Sequence, residues 1–293
     1  MKLLAMCASV VILFEVLYRL GIYPVLTISQ TFDYKILDAQ RHSDGEVNVL
    51  AGGSSVALYD INSRVMVEGV GPRYHNFGSW GMQITDIAAA LHALVEKYRP
   101  PYVVVCSSVR DFINPATPAY AEYAAAPSFF RDRFPEYFYI RNYSPLHMLF
   151  FRRFHSRRPH FDPQGGAFVA EMWEGVAKDR YAGHLDFPTG SSELQYRALD
   201  SLCGWLREQN IKLLFVQSPT RASYTNSPAR RQALAAHIER CRTIVDLCGG
   251  RFVNYQDTAV FVDSLFVDLT HLSEAGGVLF TKKIVMDLKG IMR

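Results

Sequence analysis

The sequence changes period abruptly between residues 84 and 106, and that change limits the fold more than any other feature. Ile84 to Tyr98 carries apolar residues at helical spacing. Pro100-Pro101 ends the pattern, and Tyr102 to Cys106 (YVVVC) follows as a β-branched run of core-strand type. The same switch recurs along the chain. Val47 to Ala51 reads as a buried strand and Tyr74 to Phe77 as a shorter one. Glu193 to Gln209 is amphipathic and leads through Asn210 into the strand Lys212 to Gln217 (KLLFVQ). Arg230 to Leu247 is helical, Gly249-Gly250 caps it, and Arg251 to Asn254 forms a last short strand; Ser273 can cap a closing helix to about Leu288. Alternation of this kind predicts an α/β fold, a three-layer α/β/α sandwich with a mostly parallel, flavodoxin-like sheet. Ligands in such sheets bind beyond the carboxyl ends of the strands, so the residues just after each strand carry the question of function.

At 293 residues, 49% hydrophobic and 20% charged, the chain has the composition of one domain with an insertion. The rhythm breaks between Phe112 and about Gly190, where aromatics and arginines crowd together, and residues 113–190 are expected to form a cap on a domain spanning 29–293. A net charge of +3, with no basic stripe interleaved with aromatics along the chain, argues against nucleic acid as a partner. Lys2 precedes an apolar run from Leu3 to Phe14 that resumes after Glu15 as far as Pro24, with no clear cleavage site following. Residues 1–28 are therefore expected to be an uncleaved signal anchor that spans a membrane and leaves the domain extracytoplasmic, although basic residues on both sides leave orientation weakly set. The five cysteines form no CxxC and no metal-type spacing. Cys241 and Cys248, seven residues apart in one helix, are separated by roughly 10 Å of rise, too far for a bridge.

Three junctions hold residues suited to chemistry. The first strand runs into Gly52-Gly53-Ser54-Ser55, which sets a hydroxyl at the start of a helix whose backbone amides can face an oxyanion. Serine at such a junction also serves simply as a helix cap. The third strand is followed by Ser107, Ser108, Val109, Arg110 and Asp111, either a charged wall of a site or an ordinary polar loop. The strongest local signal is Asp268-Leu269-Thr270-His271 ahead of a helix. An acid three residues before a histidine can orient the imidazole and support the imidazolium that forms when a serine proton is taken.

This set resembles the SGNH, or GDSL-type, hydrolase superfamily over about residues 45–112 and 210–290, most specifically in DLTHLSEAG (268–276). The stretch VLAGGSSVALYDIN is similar to the Gly-Ser-Ser form of the family's first block, in which Ser54 replaces an acid and Ser55 is the nucleophile. The alternative alignment selects Ser54. Asn76-Phe77-Gly78-Ser79-Trp80-Gly81 resembles the second block and implies Gly81 N–H as an oxyanion donor beside that of Ser55, with Asn76 near the substrate. The third block departs from the pattern. Ser108-Val109-Arg110-Asp111 puts Arg110 where the family has an oxyanion-donating Asn, which suits an anionic acyl carrier or signals lost catalysis.

The resemblance implies a catalytic set of Ser55, Asp268 and His271, an oxyanion hole of Ser55, Gly81 and Arg110, and no cofactor. Similar divergent members with a membrane helix act on acyl esters of cell-envelope or exopolysaccharide glycans, as esterases or O-acyltransferases, with polysaccharide-assembly proteins as possible partners. A catalytically silent, membrane-tethered scaffold is the competing reading, and a lipid-head-group hydrolase is a third. Arg152 and Arg153, in a basic-aromatic cluster ending at His160, are candidates to bind substrate or anionic head groups. The remaining histidines, His42 and His75 among them, show no pairing at metal-ligand spacing, are assigned to structure, and no metal is expected.

Overall fold

The structure, a computed structural model, describes residues 2–20, 30–39, 42, 45–113, 161–167, 191–257 and 259–293. Five parallel strands make one sheet: β1 (Val49–Gly53), β2 (Tyr74–Gly78), β3 (Tyr102–Ser107), β4 (Lys212–Gln217) and β5 (Arg251–Asn254), in the order β2-β1-β3-β4-β5. That order is the flavodoxin-like doubly wound one, and its reversal point lies between β1 and β3. Register is continuous from edge to edge: Gly53 pairs with Gly78 on one side and Cys106 on the other, and Cys106 pairs with Val216.

The β-branched strands alternate their side chains between two apolar layers. Leu50, Val103, Val105, Leu213 and Phe215 face α2 (Gln30–Ala39), α5 (Ile84–Tyr98), α6 (Glu193–Glu208) and α7 (Pro228–Leu247). Val49, Ala51, Val104, Cys106, Leu214 and Val216 face the other way, against α3 (Ser55–Asp60), α4 (Ser63–Val70) and the closing helix α8 (Glu274–Met292). Both faces are covered, as an all-parallel sheet requires. The helix ends carry their stop signals. Gln83 and Asp86 form a reciprocal capping box on α5, and the amide of Gly250 bonds the Val245 carbonyl past the end of α7.

The expected anchor over 1–28 is described only at residues 2–20. Helix α1 (Lys2–Arg19) exists, but among the described residues no helix is long and apolar enough to cross a membrane. Its 18 residues include Lys2, Glu15 and Arg19, and at 1.5 Å per residue it spans roughly 27 Å. Phe14 and Glu15 are buried, and Phe14 joins the core layer of α2 and α5. Leu3, Leu4, Met6, Val10, Ile12 and Leu13 are exposed. Of the expected cap, only 161–167 is described. Phe161 bridges Ala167, and the segment bonds both to Asn76 through Gln164 O and to Leu58 O through the Ala167 amide.

Candidate active site

The site is built where the ends of β1, β2 and β3 meet the turn before α8. Strand β1 ends in Gly53 because no side chain fits there: a Cβ would lie 2.1 Å from the Cys106 carbonyl oxygen and 2.5 Å from the Ala57 Cβ. Helix α3 starts at once. Ser54 is its N-cap and Ser55 its first residue, a position whose amide has no acceptor within the helix.

The turn from Phe266 to Ser273 brings the second half of the site. Phe266 and Leu272 form an antiparallel bridge, the Val267 amide bonds His271 O, and Ser273 caps α8 by accepting from the Gly276 amide. Inside this turn Asp268 Oδ1 accepts from the amides of Thr270 (2.8 Å) and His271 (2.7 Å), which leaves Oδ2 to accept from His271 Nδ1 at 2.8 Å. The other ring nitrogen, Nε2, lies 2.8 Å from Ser55 Oγ. Residues 216 positions apart thus form a continuous hydroxyl–imidazole–carboxylate relay. Burial pushes the Asp268 carboxyl up, but the hydrogen bond and charge of His271, with the two amides, outweigh it and bring it down to about 2. Burial disfavours the charged His271 ring, yet the Asp268 bond and charge, helped by Asp60, raise it above the usual histidine value.

Ser54, the alternative nucleophile, turns away. Its hydroxyl serves Asp111, which also accepts from Ser107 Oγ and the Ser108 amide, both at 2.9 Å. Burial raises Asp111 to about 6 in spite of these donors. A cleft of about 270 Å³ opens in front of Ser55, lined among others by Gly81, Gln83, Ser108, Arg110 and Thr270. Gly81 has φ +67°, the left-handed region that favours glycine. The Arg110 charge opposes protonation of His271, which puts the guanidinium within electrostatic reach of the reacting centre.

Asn76, expected beside the substrate, is fully buried and spends both amide ends on the backbone. Its Nδ2 donates to Ala57 O at 2.8 Å and its Oδ1 accepts from the Gly78 amide at 2.7 Å. It therefore supports the turn after β2. Arg152 and Arg153 lie outside the described residues.

Two contributors escape sequence reasoning. Asp60, at the end of α3, is fully buried; its Oδ1 accepts from the Leu272 amide at 2.9 Å and its Oδ2 from Ser218 Oγ at 3.4 Å. It therefore ties the histidine turn to the helix that carries Ser55. Burial raises this carboxyl to about 7, with the charge of His271 opposing the rise. The second contributor is an aromatic wall. The Tyr59 ring meets the His271 ring edge-on at 5.9 Å, and the indole N–H of half-exposed Trp80 donates to the Tyr59 hydroxyl. Only Asp60's position in the last turn of α3 and Trp80's place beside Gly81 could have flagged them.

No family model matches the chain, and no curated protein is similar to it at a significant level. Several solved structures are similar to it at low identity. One is a protein from Bacteroides fragilis provisionally named an acylhydrolase (13% identity, covering 89% of this chain and 96% of that one, TM-score 0.48). LAE5, an α/β hydrolase enzyme from the Lake Arreo metagenome, has 12% identity, covers 84% and 95%, and gives a TM-score of 0.47. A catalytic mutant of Axe2, an acetylxylan esterase from Geobacillus stearothermophilus, has 11% identity, covers 84% and 95%, and also gives 0.47.

Proposed function

We propose that the protein is a serine-dependent acyl ester hydrolase. The observation that carries the reading is the pair of 2.8 Å contacts linking Ser55 Oγ to His271 and His271 to Asp268. Ser55 Oγ attacks the ester carbonyl carbon while its proton passes to His271 Nε2. The oxyanion so formed is held by the amides of Ser55 and Gly81 together with Arg110. Collapse breaks the bond to the leaving alcohol, which takes the proton back from His271, and the acyl group stays on Ser55. Water activated by the same imidazole then releases the acid and regenerates the serine.

The substrate in this reading is a short acyl ester on a cell-envelope or exopolysaccharide glycan. A cleft of about 270 Å³ suits a small acyl group, the part-exposed Trp80 next to Gly81 of the lining can offer a flat face to a sugar ring, and Arg110 favours an anionic chain. A sugar hydroxyl in place of water makes the same site an O-acyltransferase. The exposed apolar residues of α1, Leu3 to Leu13, support membrane association of an extracytoplasmic protein.

Treatment with a fluorophosphonate probe tests the chemistry. Labelling is expected in the wild type, retained in Ser54→Ala and abolished in Ser55→Ala. A well-folded wild type that takes no label would leave the silent scaffold as the better reading. Acetylated oligosaccharides separate the two acyl acceptors: free acetate marks the hydrolase, and acetyl moved to a second sugar marks the transferase.

A further inference from the structure

Helix α2 ends at Ala39, one residue after Asp38, and His42 follows in the bend beyond it, an i, i+4 partner of Asp38. Both meet His75, the second residue of β2 and 2% exposed. His75 Nε2 lies 3.4 Å from Asp38 Oδ2, yet it makes no hydrogen bond. His42 Nε2 lies 3.9 Å from Asp38 Oδ1, and the two imidazole rings stand 4.9 Å apart at 64°. One donor atom from each of the three side chains falls within 4.8 Å of the others. A buried imidazole nitrogen with no hydrogen bond is costly unless something else occupies its lone pair.

We propose that Asp38, His42 and His75 form a binding site for one zinc-class divalent ion, which staples α2 to the edge strand of the sheet. Tetrahedral bonds of 2.0–2.1 Å set neighbouring ligand atoms about 3.3 Å apart, which is already the His75–Asp38 spacing. His42 must close by about an ångström from its present spacing to reach the same tetrahedral separation. It lies beyond the helix end and its side chain is 31% exposed, so it has room to move. Its Nδ1 faces Glu46 Oε2 at 3.7 Å, so a small approach would put a carboxylate behind the ligating ring, as outer acids stand behind metal-bound histidines. The partial exposure of His42 and Asp38 opens the fourth position to water. Two nitrogens and one carboxylate suit zinc, whereas calcium and magnesium take six or more oxygens. The amine of Lys35, one turn before Asp38, is held by the carbonyls of Asn76 and Gly165.

The full chain dialysed against buffered Zn²⁺ is expected to retain one equivalent and to melt at a higher temperature. Co²⁺ in its place is expected to give visible d–d bands without a thiolate charge-transfer band. His42→Ala and Asp38→Asn should each weaken binding at least tenfold, and His271→Ala should leave it unchanged. His42→Ala alters a part-exposed loop residue, so its circular dichroism and fluorophosphonate labelling should match the wild type. Three outcomes overturn the proposal. They are no saturable uptake by the folded wild type, uptake that survives His42→Ala but disappears in His271→Ala, and a thiolate band, which would move the ion to the cysteines.

Discussion

Two aspartate–histidine pairs in this molecule use the same side chains to opposite effect. In the turn before α8, His271 and Asp268 meet at 2.8 Å, and two amides of that turn also hold the carboxylate. At the sheet edge, His75 and Asp38 stand 3.4 Å apart without a hydrogen bond. The first histidine is raised above its usual value. The second is pushed well below it by burial, then by the charges of Lys35 and His42. Residue type therefore does not make a proton-transfer device. The difference lies in whether backbone groups fix the acid and whether the neighbours favour the imidazolium.

The sharpest way to break the contrast is to disable each pair in turn. His271→Ala is expected to lower kcat by ~10⁶-fold, the scale seen when the histidine of a serine relay is deleted. Asp268→Asn should cost ~10⁴-fold by freeing the wrong tautomer while the geometry holds. Asp38→Asn, the counterpart at the sheet edge, should leave kcat unchanged. Ester hydrolysis by the three purified variants decides it, and a comparable loss in Asp38→Asn would erase the distinction.

A smaller effect appears in stability against pH. The raised His271 contributes stability that is complete below the unfolded value near 6.5 and is lost as pH rises through the higher folded value. The depressed Asp268 contributes stability above 3.8 that is lost as pH falls through about 2. Asp268→Asn should flatten both dependences. Melting temperatures between pH 3 and 9 should then run more nearly parallel to the axis than in the wild type, and curves of unchanged shape would contradict the coupling.

How much of this was legible before folding varies with the range of the interaction. Lys212–Gln217 and Arg251–Asn254 keep the bounds read from their residues, the first because its run is buried and the second because Gly249-Gly250 sets it off, although it stays partly exposed. Asp268 and His271 lie three apart, so their pairing is local and visible. Strand β1 reads two residues early, as Val47–Ala51, because glycines are poor strand formers; the close approach of Cys106 O to Gly53 is what requires them. The motif favours Ser55 over Ser54, but what turns Ser54 away is Asp111, more than fifty residues on and invisible to the motif. Asp60 reads as an ordinary polar residue at the end of a helix, and only the arrival of Leu272 and Ser218 buries it. His75 likewise shows no metal spacing, because its neighbours come from α2 and the bend after it.

The finest test concerns Asp60, which acts on the first pair from behind. In Asp60→Asn the amide oxygen can still accept from the Leu272 amide, and the NH₂ can donate to Ser218 Oγ, so the turn keeps its anchor while losing a negative charge near His271. A neutral imidazole is the working base, so kcat/KM rises with pH through the His271 value, which the Asp60 charge helps to raise. Removing that charge should move the acid limb to lower pH by less than about one unit, with the plateau rate little changed. Asp60→Ala, which removes the anchor as well, should depress the plateau. If Asp60→Asn lowers the plateau and leaves the limb where it was, the buried carboxyl only holds the backbone and has no part in setting the basicity of His271.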